Sequence, residues 1–312
     1  MLKYVLKRLG YILVTLWVIV TCTFFMMKNL PGTPFDAERF SIMTPQQQER
    51  VLEMYGLNDS LPMQYVKYIK NMLKGDLGTS FTYVNQDVSK VITGRLGPSA
   101  LIGMQAVLIG LAIGLILGIL AAWKHNSGID YFTMILAVLG VSVPNFVAAA
   151  LLQYYIGLKW GVLPVGFWTG WNCSVLPSIA LSFSATAMVA RFMRTEMLDV
   201  LDQDYIVTAR AKGLSQMKVL MRHAVRNSIL PVVTILGPIV VNLMTGSLAV
   251  ENIFSIPGIG SLFVDCIKAN DYPVIMGITI FYAAFYMLIV LLVDLAYSLI
   301  DPRIRLAKGK ES

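Results

Sequence analysis

Nothing constrains the fold of this 312-residue chain as much as six stretches that run for roughly the thickness of a bilayer without a charged side chain. Residues 9–27 hold nineteen such positions in a row. As an α-helix rising about 1.5 Å per residue they reach about 28 Å, close to the ~30 Å of a hydrocarbon core. Residues 99–123, 131–158, 175–190, 228–250 and 273–293 repeat the pattern. Backbone inside lipid must satisfy its own polar groups, which an uninterrupted apolar run does as a helix. Only 14% of the residues are charged, against about 25% in a soluble domain. The expected fold is an all-α polytopic membrane protein with six transmembrane helices.

Charge placement orients the spans. Fifteen of the 25 lysines and arginines fall in the N-terminal tail, at Lys124, between residues 191 and 226, or in the C-terminal tail. The short loops on the other side hold only Lys159 and Lys268. By the positive-inside rule both termini are cytoplasmic, and this distribution explains the net charge of +7 better than nucleic-acid binding does. The first span is expected to be retained. Its apolar run exceeds the ~7–15 residues of a cleavable signal and ends in Phe24, Phe25 and Met26 with no small-residue cleavage site. Thr21 fits poorly before a lipid-bearing Cys22. Cys22, Cys173 and Cys266 lack metal-ligand or CxxC spacing and are expected to be apolar space-fillers.

The chain therefore divides into residues 1–29, an N-terminal segment with the first span; residues 30–97, an extracytoplasmic region; and residues 98–312, a core holding the other five spans. In the extracytoplasmic region Thr44-Pro45 opens a helix expected to end at Tyr55-Gly56. Ser60-Leu61-Pro62 opens another, with Val66, Ile69 and Leu73 on one face and Gly75 as its stop. In the second span Gly110, Gly114 and Gly118 fall four apart, a face that allows close helix approach, within this chain or with another. The third span is interrupted by Ser142-Val143-Pro144-Asn145, where proline frees a backbone carbonyl.

Between the fourth and fifth spans lies a cytoplasmic loop, residues 195–228, with a basic knuckle at residues 205–231 that carries five of the lysines and arginines. It reads as two short helices. Asp204 is placed to cap the first, and Lys212-Gly213 to end it with a cation and a residue free to turn left-handed. Ser215 is placed to cap the second, on which Met217, Leu220 and Ala224 recur at helical spacing. Such a knuckle suits contact with something outside the membrane.

Catalytic chemistry is scarce. There is no G-x-x-x-x-G-K-[ST] phosphate loop and no H-E-x-x-H, and His125 and His223 cannot form a metal site alone. No catalytic, metal or cofactor site is expected. The centres of the spans lack Asp, Glu, Lys and Arg, the residues by which ion-coupled carriers harvest a gradient. Neutral polar residues do occur there. Ser142 and Asn145 share a helix face, as do Asn242 and Thr245, and with Gln153 they suit either a path for a peptide backbone or interhelical hydrogen bonds.

Tyr205, the run Thr208-Ala209-Arg210-Ala211-Lys212-Gly213-Leu214, His223, Asn227 and Leu230-Pro231 resemble the "EAA" loop of ABC-importer permeases in its peptide-transporter form. Leu30-Pro31-Gly32, Gly75-Asp76-Leu77-Gly78 with Ser80-Phe81, the stretch from Glu251 to Gly260 followed by Asp271-Tyr272, and Ile300-Asp301-Pro302-Arg303 are similar to the same branch. Val207 stands where the general motif has glutamate. The likeness runs end to end, to the oligopeptide/dipeptide permeases and most to their oligopeptide B-subunit branch.

The resemblance implies a type I importer (MetI-like) permease fold in a bacterial cell membrane. It implies as partners a homologous C-type permease, two ATPase subunits of D and F type carrying ATP and Mg, an extracytoplasmic peptide-binding protein and membrane lipid. Tyr205 and Thr208 through Leu214 would be the coupling helix seated on an ATPase. Glu251, Pro257, Gly258, Gly260 and Asp271 would belong to a receptor-facing outer gate. The implied cargo is oligopeptides, with dipeptides, nickel chelates or peptide pheromones as alternatives. A channel, a stand-alone carrier or a membrane-embedded enzyme would need no ATPase partner.

Overall fold

The computed structural model describes residues 2–29, 40, 42–54, 56–83 and 85–300. The Leu30-Pro31-Gly32 turn, the expected helix end at Tyr55 and the Asp301-Pro302-Arg303 ending lie outside them. Among the described residues the structure is helical, with a single isolated antiparallel bridge between Thr79 and Asp87. The helices are α1 (Leu2–Lys28), α2 (Pro45–Met54), α3 (Leu61–Met72), α4 (Val88–Trp123), α5 (Gly128–Ser142), α6 (Asn145–Leu152), α7 (Val175–Leu201), α8 (Asp204–Ala211), α9 (Arg226–Met244), α10 (Leu248–Ile253), α11 (Ile259–Lys268) and α12 (Tyr272–Ile300). Five are long and apolar enough to cross a membrane, and α5 with α6 makes a sixth crossing if the pair is one span.

One expected boundary is corrected, and one expected break is found. The second span was expected from residue 99, but α4 begins at Val88 and carries Pro98 inside it. Its 36 residues reach about 54 Å, well beyond a bilayer core. The third span is two helices bent by 100° at Val143-Pro144. Val143 is extended (φ −80°, ψ 119°), as a residue before proline prefers, and Pro144 starts the next helix by accepting from the Val147 and Ala148 amides.

The chain forms two compact units, Met1–Gly97 with Gly258–Phe285 and Pro98–Pro257 with Tyr286–Ser312. The core of the first gathers Val88, Val91 and Ile92 of α4, Ile259 and Leu262 of α11, and Val274, Ile275 and Ile278 of α12. Gly277 of α12 is required there, because a Cβ would lie 2.5 Å from the Val88 side chain. Cys266 fills space in this core, and burial pushes its thiol up to about 12. Cys173 is also buried, whereas Cys22 sits exposed on α1 and fills nothing.

In the second unit α7 is the central element, with Leu176, Leu181, Ala185, Val189, Met193 and Met197 buried along its length. The glycine row of α4 lies against it. A Cβ on Gly110 would be 2.7 Å from Ala185 Cβ, one on Gly114 2.7 Å from Val189 Cβ, and one on Gly118 2.6 Å from the Ala190 carbonyl. The close approach is thus made within this chain. Gly140 brings α5 similarly near α7, and Gly103 brings α4 near the Leu243 carbonyl of α9.

Gly114→Leu is expected to force α4 off α7. Overpacking of this kind costs about 1–3 kcal/mol or more, read as a fall of several degrees in the melting temperature of the purified protein. Gly128→Ala, where no atom lies within 4 Å of the new Cβ, should change it little.

Candidate functional site

The knuckle grows out of the end of α7. Helix α8 starts at Asp204, with Gln203 in the extended cap position (φ −78°, ψ 146°) and no side-chain cap bond. Asp204 is therefore not the cap expected of it. It lies in the first turn, where a carboxylate opposes the positive end of the helix dipole. Ile206 and Ala209 point inward and pack with Val219, Val200 and Leu201.

The stop is as the residues foretell. Gly213 has φ +76°, its amide donates to the Arg210 carbonyl (2.9 Å), and the Leu214 amide donates to the Ala209 carbonyl (3.4 Å). These are the paired 5→2 and 6→1 bonds of a glycine-terminated helix. Ser215 is extended and precedes a short helix, Gln216–Val219, again without a side-chain cap bond. A wide π turn, Leu220–Val225, then leads into α9. The buried residues here are Val219, Leu220, Ala224 and Ser228, while Met217 faces outward, contrary to the expected face.

Two ties close the knuckle. Asn227 Nδ2 donates to the Tyr205 hydroxyl (3.2 Å) and to the His223 carbonyl (2.9 Å). Ser228 Oγ donates to the carbonyls of Ala224 (2.9 Å) and, on α7, Glu196 (3.2 Å). Tyr205, Val207, Thr208, Arg210, Ala211, Lys212, Gly213, Leu214, Met217 and Met221 remain on the exposed side. Arg210, Lys212, Lys218 and Arg222 form no ion pair with a described residue. The result is a rigid surface that is apolar and cationic at once.

A second cluster escaped the sequence reading. Asp130, with its side chain 2% exposed, accepts from Arg194 Nε (2.6 Å) and Nη2 (2.8 Å), from the Asn126 amide (3.0 Å), and faces His125 Nδ1 at 3.2 Å. This bidentate pair locks the turn between α4 and α5 onto α7, about two turns before α7 ends. In the sequence Arg194 counts only among the cations that orient the spans, and no local pattern pairs it with Asp130, 64 residues away.

The expected gate residues are mostly interior. Asp271 is fully buried. Its carboxylate accepts from the Ser80 hydroxyl and from the amides of Phe81 (3.2 Å) and Thr82 (3.0 Å), while Ser80 Oγ in turn accepts from the Tyr83 amide (2.8 Å). Two motif segments 190 residues apart, Ser80-Phe81 and Asp271-Tyr272, are thereby joined. Glu251 is also buried and accepts from Ser99 Oγ at 2.7 Å. Gly258 and Gly260 are buried and Pro257 is half-buried.

The neutral polar residues are scattered. Ser142 and Asn145 flank the 100° bend. Gln153 gives its amide to the carbonyls of Val165 (2.6 Å) and Ile253 (2.7 Å), a structural tie. Thr245 donates to the Val241 carbonyl (2.9 Å), and Asn242 is exposed. Among the described residues no group of three or more His, Cys, Asp or Glu side chains is placed to hold a metal ion.

The chain belongs to the family of binding-protein-dependent transport system inner membrane components, whose pattern matches residues 114–306. The corresponding N-terminal pattern matches residues 1–96. It is 46% identical to the dipeptide transport system permease protein DppB of Lactococcus lactis subsp. cremoris, covering 98% of this chain and 100% of that one. It is 43% identical to DppB of Bacillus subtilis (99% of both chains) and 39% identical to the oligopeptide transport system permease protein OppB of Haemophilus influenzae (98% and 100%). Among solved structures, an amino acid ABC transporter aligns with a TM-score of 0.51 at 19% identity, over 69% of this chain and 94% of that chain. The MetNI methionine ABC transporter aligns with a TM-score of 0.54 at 14% identity, over 68% and 97%. These two place the chain in the MetI-like permease fold, and the protein is a multi-pass component of the bacterial cytoplasmic membrane.

Arg194→Ala is expected to strand the Asp130 carboxylate at a cost of about 3–5 kcal/mol. The purified protein should melt far lower or fail to accumulate, and the combined Asp130→Asn, Arg194→Gln variant should recover most of that loss.

Proposed function

We propose that this chain is one permease subunit of an ATP-driven importer of peptides, and that the Tyr205–Leu214 knuckle is the handle by which a separate ATPase moves it. The observation that carries the reading is the knuckle itself. Its inner face is fixed by Ile206 and Ala209, its end by Gly213 and its base by Asn227, while Val207, Arg210, Lys212 and Leu214 face outward. A chain without a phosphate loop needs such a face to receive work from another protein.

In the assembly envisaged, both termini and the knuckle are cytoplasmic. A homologous C-type permease completes the path, D- and F-type ATPases bind ATP and Mg, and a peptide-binding protein docks outside. ATP binding closes the ATPases and displaces α8 as a rigid body. Helix α7 transmits the displacement, the path opens outward and peptide enters; hydrolysis restores the inward-facing state. Ser142, Asn145, Gln153, Asn242 and Thr245 are assigned to the path as neutral hydrogen-bonding groups. Glu251, Pro257, Gly258, Gly260 and Asp271 are assigned to the outer gate and its support. The higher identity to dipeptide permeases than to oligopeptide permeases favours short peptides as cargo. Titrating the cognate binding protein with dipeptides and longer peptides separates the two.

Reconstitution with its ATPases, second permease and binding protein should give peptide-dependent ATP hydrolysis. Gly213→Val places a β-branched residue at φ +76°, where L side chains are strained by about 1–2 kcal/mol, and Ala209→Phe pushes α8 off its packing. Both should abolish peptide uptake and peptide-stimulated ATPase activity while membrane insertion stays normal. Uptake at the wild-type rate in both variants would refute the coupling role.

A further inference from the structure

Helix α3 is docked on the second half of α1 by its tyrosines. The Thr21 and Tyr65 hydroxyls share a hydrogen bond of 2.7 Å. The Tyr65 ring stacks on Phe25 at 5.7 Å and meets Phe24 edge-on at 5.4 Å, and Tyr68 lies 6.0 Å from Phe24. Beside these contacts a groove of about 470 Å³ opens between Trp17 of α1 and the stretch from Tyr65 of α3 to Leu73 and Lys74 just past its end. We propose that this groove holds an anionic phospholipid, with acyl chain along Trp17, Val66, Ile69 and Leu73 and phosphate at Lys70 and Lys74.

One wall of the groove is a membrane-crossing helix, so its surroundings include lipid. Val66 is 58% exposed and Leu73 78% exposed, apolar surface that a bilayer accepts and water does not. The charge is equally one-sided. Residues 61–75 contain three lysines and no aspartate or glutamate. Lys67 is neutralised by Asp59 at 2.6 Å, whereas neither Lys70 nor Lys74 forms an ion pair with a described residue. Lys70 lies in the last turn of α3 and Lys74 in the turn that follows it, and both line the same groove as the apolar side chains. An ammonium group against a bilayer is costly unless its stem carries it to an anionic headgroup. Apolar walls with two uncompensated cations match the chemistry of a basic amphipathic helix bound to acidic lipid. The inference depends on the membrane location of α1 and not on cargo or on coupling.

The test is native mass spectrometry of the full-length chain, solubilised with its partner subunits and titrated with phosphatidylglycerol or phosphatidylcholine. Phosphatidylglycerol should be retained in preference, and inorganic phosphate should not displace it. With each lysine contributing about 1 kcal/mol, Lys70→Gln with Lys74→Gln should weaken retention about thirtyfold, while Lys70→Arg with Lys74→Arg should preserve it. Equal retention of the two lipids, or unchanged retention in the glutamine variant, overturns the proposal. So does efficient cross-linking of a Leu73→Cys variant to a partner subunit or binding protein, since protein would then cover the groove. If the glutamine variant fails to assemble, the lipid preference of the wild-type and arginine forms still decides.

Discussion

In a bilayer two apolar helices gain nothing from water by meeting, so the seam between α4 and α7 depends on how closely their backbones can approach. Gly110, Gly114 and Gly118 are what permit it, because each would drive a Cβ to within 2.6–2.7 Å of an α7 atom. Packing at that range recovers dispersion contacts that lipid chains fill less well. Everything else in the second unit is referred to α7. Helix α5 meets it at Gly140, the Asp130–Arg194 pair pins the preceding turn to it, and Ser228 ties α9 to its Glu196 carbonyl. Buried side chains recur along the helix from Leu176 to Met197.

That arrangement bears on how the knuckle could act as a lever. A displacement of α8 reaches α7 through a two-residue connection, Asp202-Gln203, backed by the packing of Ile206 and Ala209 on Val200 and Leu201. Little slack is available. The bidentate ion pair then makes the turn before α5 move with α7. A buried ion pair is a poor source of net stability but leaves few alternative geometries, since any partial separation exposes a carboxylate to a low dielectric. Its value on the proposed reading is therefore mechanical definition.

What could be read from the residues was whatever a short segment decides for itself. The stop at Lys212-Gly213-Leu214 is local backbone chemistry, and it appears bond for bond. Pro144 announced a break but not its 100° angle, which depends on what α5 and α6 pack against. The second span was expected from residue 99, yet its helix starts at Val88 and carries Pro98 internally, because the ten residues before Pro98 pack Val88, Val91 and Ile92 into a core with α11 and α12. Met217 was misassigned because Val219 and Leu220 form the buried face at this point, which leaves Met217 on the exposed side. Contacts across long separations were invisible. Asp130 and Arg194 stand 64 residues apart, Ser80 and Asp271 191 apart, and nothing in a single sequence pairs them.

The uncharged centres of the spans and the cationic knuckle belong to one design. Moving one charge through 100 mV yields about 2.3 kcal/mol, and a span with no Asp, Glu, Lys or Arg at its centre has no grip on that source. Conformational work must then arrive by contact, at a surface stiff enough not to absorb it. The knuckle has the necessary parts: a glycine-locked end, a buried inner face and an unsatisfied outer one. Its outer groups are mixed in kind. On the proposed reading Val207 and Leu214 would reward close seating, and Arg210 and Lys212 would fix register with an ATPase more than they add affinity. A handle must hold its motor through each stroke without being ruptured by it, and apolar seating with a charged rim meets both demands.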